Sequence, residues 1–144
     1  MKTAFISVLA AFVLIISGCG DDASGPSDTW NNGDWTGSTA SQIPVTFTLD
    51  HPDVSDWTIT VTHEYAGNTV DKTWTSPALT VAADSSFSWS DSVYADSLQY
   101  SFSMSGTFAS GDSVQGLWDS TLYYQISGSS GVDDQGGSWT ASGP

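Results

Sequence analysis

Apolar and polar residues alternate along most of the chain, and the alternation is sharpest between Leu98 and Trp118. Leu98, Tyr100, Phe102, Met104 and Phe108 occupy one phase, and Gln99, Ser101, Ser103, Ser105 and Thr107 the other. A period of two is that of a strand with one buried face. Ser110-Gly111-Asp112 punctuates the pattern as a turn. A loop of those three residues sets Phe108 opposite Val114, Gly106 opposite Gly116 and Met104 opposite Trp118. A one-residue slip would scatter the large apolar groups over both faces, so this register is strongly specified.

The same period recurs elsewhere. Trp57, Ile59, Val61, His63 and Tyr65 alternate with Thr58, Thr60, Thr62 and Glu64. Gly67-Asn68 follows as a two-residue hairpin turn, pairing Tyr65 with Val70, His63 with Lys72 and Val61 with Trp74. That register also sets Glu64 opposite Asp71, a like-charge pair that is mildly destabilising, and it leaves His63 at the rim of the apolar face. Further strands are expected at Gly33–Ser38, Ile43–Leu49, Ala78–Val81, Ser86–Trp89, Ser113–Trp118, Thr121–Ser127 and Ser138–Ser142, with Asp50 to Asp56 as a loop. Nothing keeps a helical period. The pattern predicts an all-β domain over residues 33–144, an antiparallel β-sandwich or flattened up-and-down barrel of about eight to ten short strands with little or no helix. Trp35-Thr36-Gly37-Ser38 and Trp139-Thr140-Ala141-Ser142 echo one another near its two ends. Pairing of those first and last strands would hide two sheet edges.

The amino terminus changes the picture of where this domain sits. Lys2 precedes an apolar run from Ala4 to Ile16, shorter than the ~20 residues of a spanning helix and suited to a signal-peptide core. It ends in Ile16-Ser17-Gly18-Cys19, with Cys19 the single cysteine. This segment resembles the lipobox of bacterial lipoproteins. The resemblance implies that residues 1–18 are cleaved, that Cys19 carries a diacylglyceryl thioether and that the new amino terminus is acylated. Gly20, where an Asp would signal inner-membrane retention, then implies an outer-membrane address in the cell envelope. Residues 19–32 are the lipidated Cys and a flexible acidic tether, rich in Gly, Ser, Asp and Pro. Trp30 is its one large apolar residue, read as docking on the domain or as an exposed contact.

Charge narrows the partners. Two Lys or Arg stand against 16 Asp or Glu, a formal net charge of −14. With no basic patch to neutralise phosphates, nucleic acid is not expected as a partner. The membrane is engaged through the lipid on Cys19, leaving an envelope protein or a glycan as the partner of the domain. Seven Trp raise the glycan possibility, because flat exposed rings stack on sugars. Trp57, Trp74, Trp89 and Trp118 are in phase with apolar neighbours and belong to the core. Trp30, Trp35 and Trp139 are less constrained, and Tyr94 and Tyr123 are out of phase with their apolar neighbours. These five are the candidate ligand contacts. Asp50, Asp53 and Asp56, recurring at every third position of one loop, are the candidate ligands of a calcium ion, the one cofactor the sequence suggests.

Catalysis finds little support. His63-Glu64-Tyr65-Ala66-Gly67 lacks the second His of a zinc protease helix and lies on an expected strand. No Ser sits in a nucleophile-elbow context. The domain resembles the small all-β domains of bacterial envelope lipoproteins of unassigned function, on Trp35-x-Gly37, Gly106-x-Phe108 with Gly116, and Trp139-Thr140-Ala141. Gly33-x-Trp35 also resembles the start of lipocalin or avidin-like barrels. That second likeness implies a hollow interior, whereas the inward positions Phe47, Trp57, Trp89, Phe102 and Trp118 predict a filled one. The expected function is that of a lipid-anchored envelope protein acting as a non-catalytic binding or structural module. Glycan recognition through exposed aromatics is the first alternative, a small-ligand carrier the second and a hydrolase the last.

Overall fold

The alternation is realised as strands. A computed structural model describes residues 30–95 and 97–144, so the segment expected to be a signal peptide, Cys19 and the expected tether up to residue 29 lie outside the described residues. In chain order the strands are β1 (Gly33–Thr39), β2 (Pro44–Asp50), β3 (Asp53–Tyr65), β4 (Asn68–Thr75), β5 (Leu79–Thr80), β6 (Ser86–Ala95), β7 (Leu98–Ser110), β8 (Ser113–Ile126) and β9 (Ser129–Ser142). All pairings are antiparallel, and the order across the sheet is β4-β3-β2-β1-β9-β8-β7-β6, with β5 paired to β3. Among the described residues there is no helix.

The first and last strands pair as expected, Thr36 with Ser142 and Thr39 with Trp139. That pairing joins the two halves of the chain into one sheet, which curls until its ends approach. Trp74 on β4 comes within 6.4 Å of Trp89 on β6, ring to ring, and stacks on Phe102 of β7 at 5.1 Å. Strands β4 and β6 share no ladder, so the flattened barrel has a seam there. The Lys72 ammonium lies on the inner side of that seam, 5.0 Å from the Trp74 ring centre and 5.6 Å from that of Tyr100. Trp35, Phe47, Trp57, Phe87, Phe102, Phe108 and Trp139 fill the interior. These side chains occupy the space that a carrier barrel keeps for its ligand.

The β7–β8 hairpin has the register read from the sequence, with Phe108 opposite Val114, Gly106 opposite Gly116 and Met104 opposite Trp118. Its turn is tighter than expected: Ser110 pairs with Ser113, and the extra residue is absorbed as a bulge at Ala109. The β3–β4 hairpin differs. Its turn is Ala66-Gly67, both with positive φ (47° and 79°), as a two-residue hairpin turn of this kind requires. Tyr65 therefore pairs with Asn68, His63 with Val70, Val61 with Lys72 and Ile59 with Trp74. The partner strand is displaced by two residues, which preserves the faces. It also dissolves the expected Glu64–Asp71 pair. Glu64 faces Thr69, while Asp71 accepts a hydrogen bond from Thr62 at 2.7 Å.

Three strands run longer than their apolar content suggests. β6 extends to Ala95, the two segments expected at Ser113–Trp118 and Thr121–Ser127 form one β8, and β9 begins at Ser129 rather than Ser138. Ser129 to Gly137 is Gly-, Ser- and Asp-rich, but β8 offers it a continuous ladder from Ile126 to Trp118. Backbone hydrogen bonds to a well-anchored neighbour override weak strand propensity.

Candidate functional site

The outer face of the sheet carries one concentrated apolar feature. Tyr94 on β6 pairs with Gln99 on β7, Gln99 with Tyr123 on β8, and Tyr123 with Val132 on β9. The four side chains form a single row across four adjacent strands. Tyr94 is 74% exposed, Tyr123 45% and Val132 53%. Leu117, the other exposed large apolar residue among those described, stands apart between Ser105 and Ser138. The row lines an open depression of about 600 Å³ whose polar groups include the Gln99 and Gln125 amides and the Ser97 and Ser130 hydroxyls. Exposed apolar side chains clustered beside convergent polar groups mark binding surfaces more often than isolated ones do.

Tyr94 and Tyr123 are thus where their phase in the sequence put them. Gln99 and Val132 were not legible as partners, because the row exists only once β8 is known to pair with Ser129 to Gly137. The two-residue step across Ser127-Gly128, with Gly128 at φ 81°, is the signal that would have aligned Val132 with Tyr123.

The tryptophan candidates are corrected. Trp35 and Trp139 are buried. Trp35 stacks on Phe47 at 5.5 Å, and its indole N–H donates to the Asn31 carbonyl at 3.0 Å. The Trp139 ring lies over Gly116, and its N–H donates to the Ser105 and Leu117 carbonyls at 3.1 and 3.3 Å. The pairing of the first and last strands that their echo suggested is what seals both rings inside. Trp30 docks, stacking on Phe108 at 4.5 Å and approaching His51 at 5.3 Å. Asn31 and Asn32 fix the same corner through hydrogen bonds to Gly111, Pro144 and His51.

The aspartate candidates do not share a loop. The turn is only His51-Pro52, and Asp53 already pairs with Asp50 in the ladder of β2 and β3. The Asp53 carboxylate accepts the Thr80 hydroxyl at 2.7 Å. Asp56, at φ 55°, belongs to a bulge in β3 opposite Phe47. The bulge lets both Val54 and Trp57 point inward. Among the described residues, no three His, Cys, Asp or Glu side chains are gathered to hold a metal ion.

His63 is also corrected: it is wholly buried rather than at a rim. Nδ1 lies 2.8 Å from Asp133 Oδ2 and Nε2 lies 2.9 Å from Ser120 Oγ. Asp133 also accepts the Glu64 backbone N–H at 3.2 Å and the Gln135 amide. Burial would raise the Asp133 pKa, but the hydrogen bonds from His63, Gln135 and Glu64 outweigh it and hold the carboxyl below its ordinary value. An ionised carboxylate has no proton to give, so Nδ1 donates to it, and in the neutral ring Nε2 accepts from Ser120. The order Ser–His–Asp is that of a hydrolytic triad. Here, however, Ser120 has no exposed surface, and its strand neighbours Phe102 and Gln135 flank it. The chain of hydrogen bonds spans the interior from β3 to β8 and β9 and satisfies both ring nitrogens of His63 and the Ser120 hydroxyl. It is a brace across the barrel. No family model matches the sequence, and a search of curated proteins finds no match.

Proposed function

We propose that this protein is a non-catalytic saccharide-binding module, carried at the bacterial envelope by a lipid on Cys19. The observation that carries the reading is the exposed Tyr94–Gln99–Tyr123–Val132 row. Tyrosine rings left in water on a rigid sheet supply flat apolar platforms with little ordering cost. The flanking amides and hydroxyls supply donors and acceptors at sugar height. Binding energy then comes from stacking plus a few hydrogen bonds, as in other open polar–aromatic sites. The anchor follows from the lipobox-like Ile16-Ser17-Gly18-Cys19 and the acidic tether. Several acyl chains hold a protein durably where one does not.

The test uses the full chain in a detergent whose head group carries no sugar, on an array of neutral and acidic glycans. Saturable binding that is lost in Tyr123→Ala and kept in Leu117→Ala supports the reading. No glycan binding, or binding unaffected by Tyr123→Ala, overturns it and leaves a tethered structural role. Incorporation of a labelled fatty acid, abolished by Cys19→Ser, tests the anchor separately.

A further inference from the structure

The geometry points to the class of saccharide: we infer that the row takes an uncharged, extended glycan chain lying across β6, β7 and β8. This rests on the saccharide reading above and narrows it.

Three features of the row carry the inference. The first is spacing. Tyr94 and Tyr123 project from the same face with one strand between them, which sets them roughly 10 Å apart, two strand spacings. Alternate rings of an extended hexose polymer repeat their orientation at a comparable distance, so each can lie on one tyrosine. A coiled glycan turns successive rings away from a straight row.

The second feature is openness. The depression is open to solvent: on the outer face its lining among the described residues, Tyr94, Gln99, Tyr123 and Val132, crosses four strands, while Leu98, Tyr124 and Gly131 border it from the other face of the sheet. Such a surface accepts the interior of a chain and does not require a terminus.

The third is charge. Among the described residues, no Lys or Arg lines the depression. Lys72, the one cation among the described residues, lies inside the seam over Trp74 and Tyr100. Asp134 sits on the same outer face one row away, opposite Thr121. With a net charge of −14, the field around this face opposes uronic-acid or sulfated polymers. The polar groups that are present, Gln99, Gln125, Ser97 and Ser130, are neutral partners for sugar hydroxyls.

The experiment is affinity electrophoresis and calorimetry of the full chain in sugar-free detergent, with cellohexaose, cellobiose, maltohexaose and a polygalacturonate oligomer as probes. Cellohexaose should bind best, and cellobiose, too short to span both rings, at least about tenfold more weakly. Tyr94→Ala and Tyr123→Ala should each cost the hexamer about tenfold while leaving the weak cellobiose binding within about twofold in Tyr94→Ala, because one platform remains. Equal Tyr123-dependent binding of maltohexaose or polygalacturonate would leave a saccharide site but overturn the extended, uncharged class. Absence of binding to all four probes, and to every glycan of the array, would overturn both.

Discussion

His63 Nδ1 lies 2.8 Å from Asp133 Oδ2, and that contact ties β3 to β9 across the inside of the barrel. The Asp133 carboxyl is held below its ordinary value of 3.8 by this and its other hydrogen bonds, against the opposing effect of burial. A depressed folded-state pKa means that the unfolded chain takes up the proton first as pH falls. The stabilisation is therefore complete above the ordinary carboxylate value and is lost as pH drops through the lower, folded one. Urea denaturation of the full chain should show midpoints falling below about pH 4. Asp84, hydrogen-bonded by Ser86 and likewise lowered, adds to the same slope, so the diagnostic is the difference from Asp133→Asn. That variant should flatten the acid limb, and an unchanged limb would refute the assignment.

The rest of the brace is tested by removing its middle. His63→Leu keeps volume but leaves Ser120 and Asp133 buried or half-buried without the ring. The expected loss is about 1–3 kcal/mol at neutral pH, the cost of stranding a buried polar partner. Ser120→Ala in the same background should then cost less than it does in the native chain, since its partner is already gone. Additive losses, measured by the same urea titration, would mean that the three residues do not act as a unit.

What the sequence disclosed followed from how strongly each residue type constrains its face. Phe102, Met104, Phe108 and Trp118 are large, so the β7–β8 register up to Phe108 was legible to the residue, whereas the bulge at Ala109, beyond the last large side chain, was not. In β3 and β4 the apolar groups fix parity but not the turn, and Ala66-Gly67 rather than Gly67-Asn68 moved the partner by two residues. The brace was hidden because Asp133 sits among Gly, Ser and Asp, a stretch that local propensity reads as loop and that becomes strand only through its ladder to β8. Tyr94 and Tyr123 were legible as exposed because phase alone decides that. The burial of Trp35 and Trp139 was not legible, because it depends on closure between strands far apart in the chain.

Gly116 reports on that closure. A Cβ there would meet the Ser105 carbonyl and the Trp139 indole, both fixed by their own contacts. Gly116→Ala should therefore destabilise by about 1–3 kcal/mol through overpacking, with a lower melting temperature by circular dichroism. An unchanged melting temperature would show that Trp139 has room to move.

Exposure separates the aromatic residues that hold the fold from those offered to a ligand. Trp139→Ala should cost about 3–5 kcal/mol, the range for a buried large aromatic. Tyr123→Ala and Tyr94→Ala should stay within about 0.5 kcal/mol of the native chain, as exposed substitutions generally do. Denaturation midpoints of the three variants check this, and a large loss in either tyrosine variant would reassign the row to packing.

Lys72 offers a last test of how the seam between β4 and β6 is held. Its ammonium lies over the Trp74 and Tyr100 rings at 5.0 and 5.6 Å, an arrangement worth about 0.5–1 kcal/mol at exposed sites and about 2 kcal/mol when desolvated. Lys72→Met keeps the apolar stem and removes the charge. It also makes a chain of net charge −14 one unit more negative, which weakens the compact state through self-repulsion. Salt separates the two effects, since at ~1 M the screening length falls to about 3 Å. A loss that persists at high salt belongs to the ring contact at the seam, whereas one that vanishes belongs to net charge. The short distances to both rings predict persistence, read from urea midpoints at the two ionic strengths.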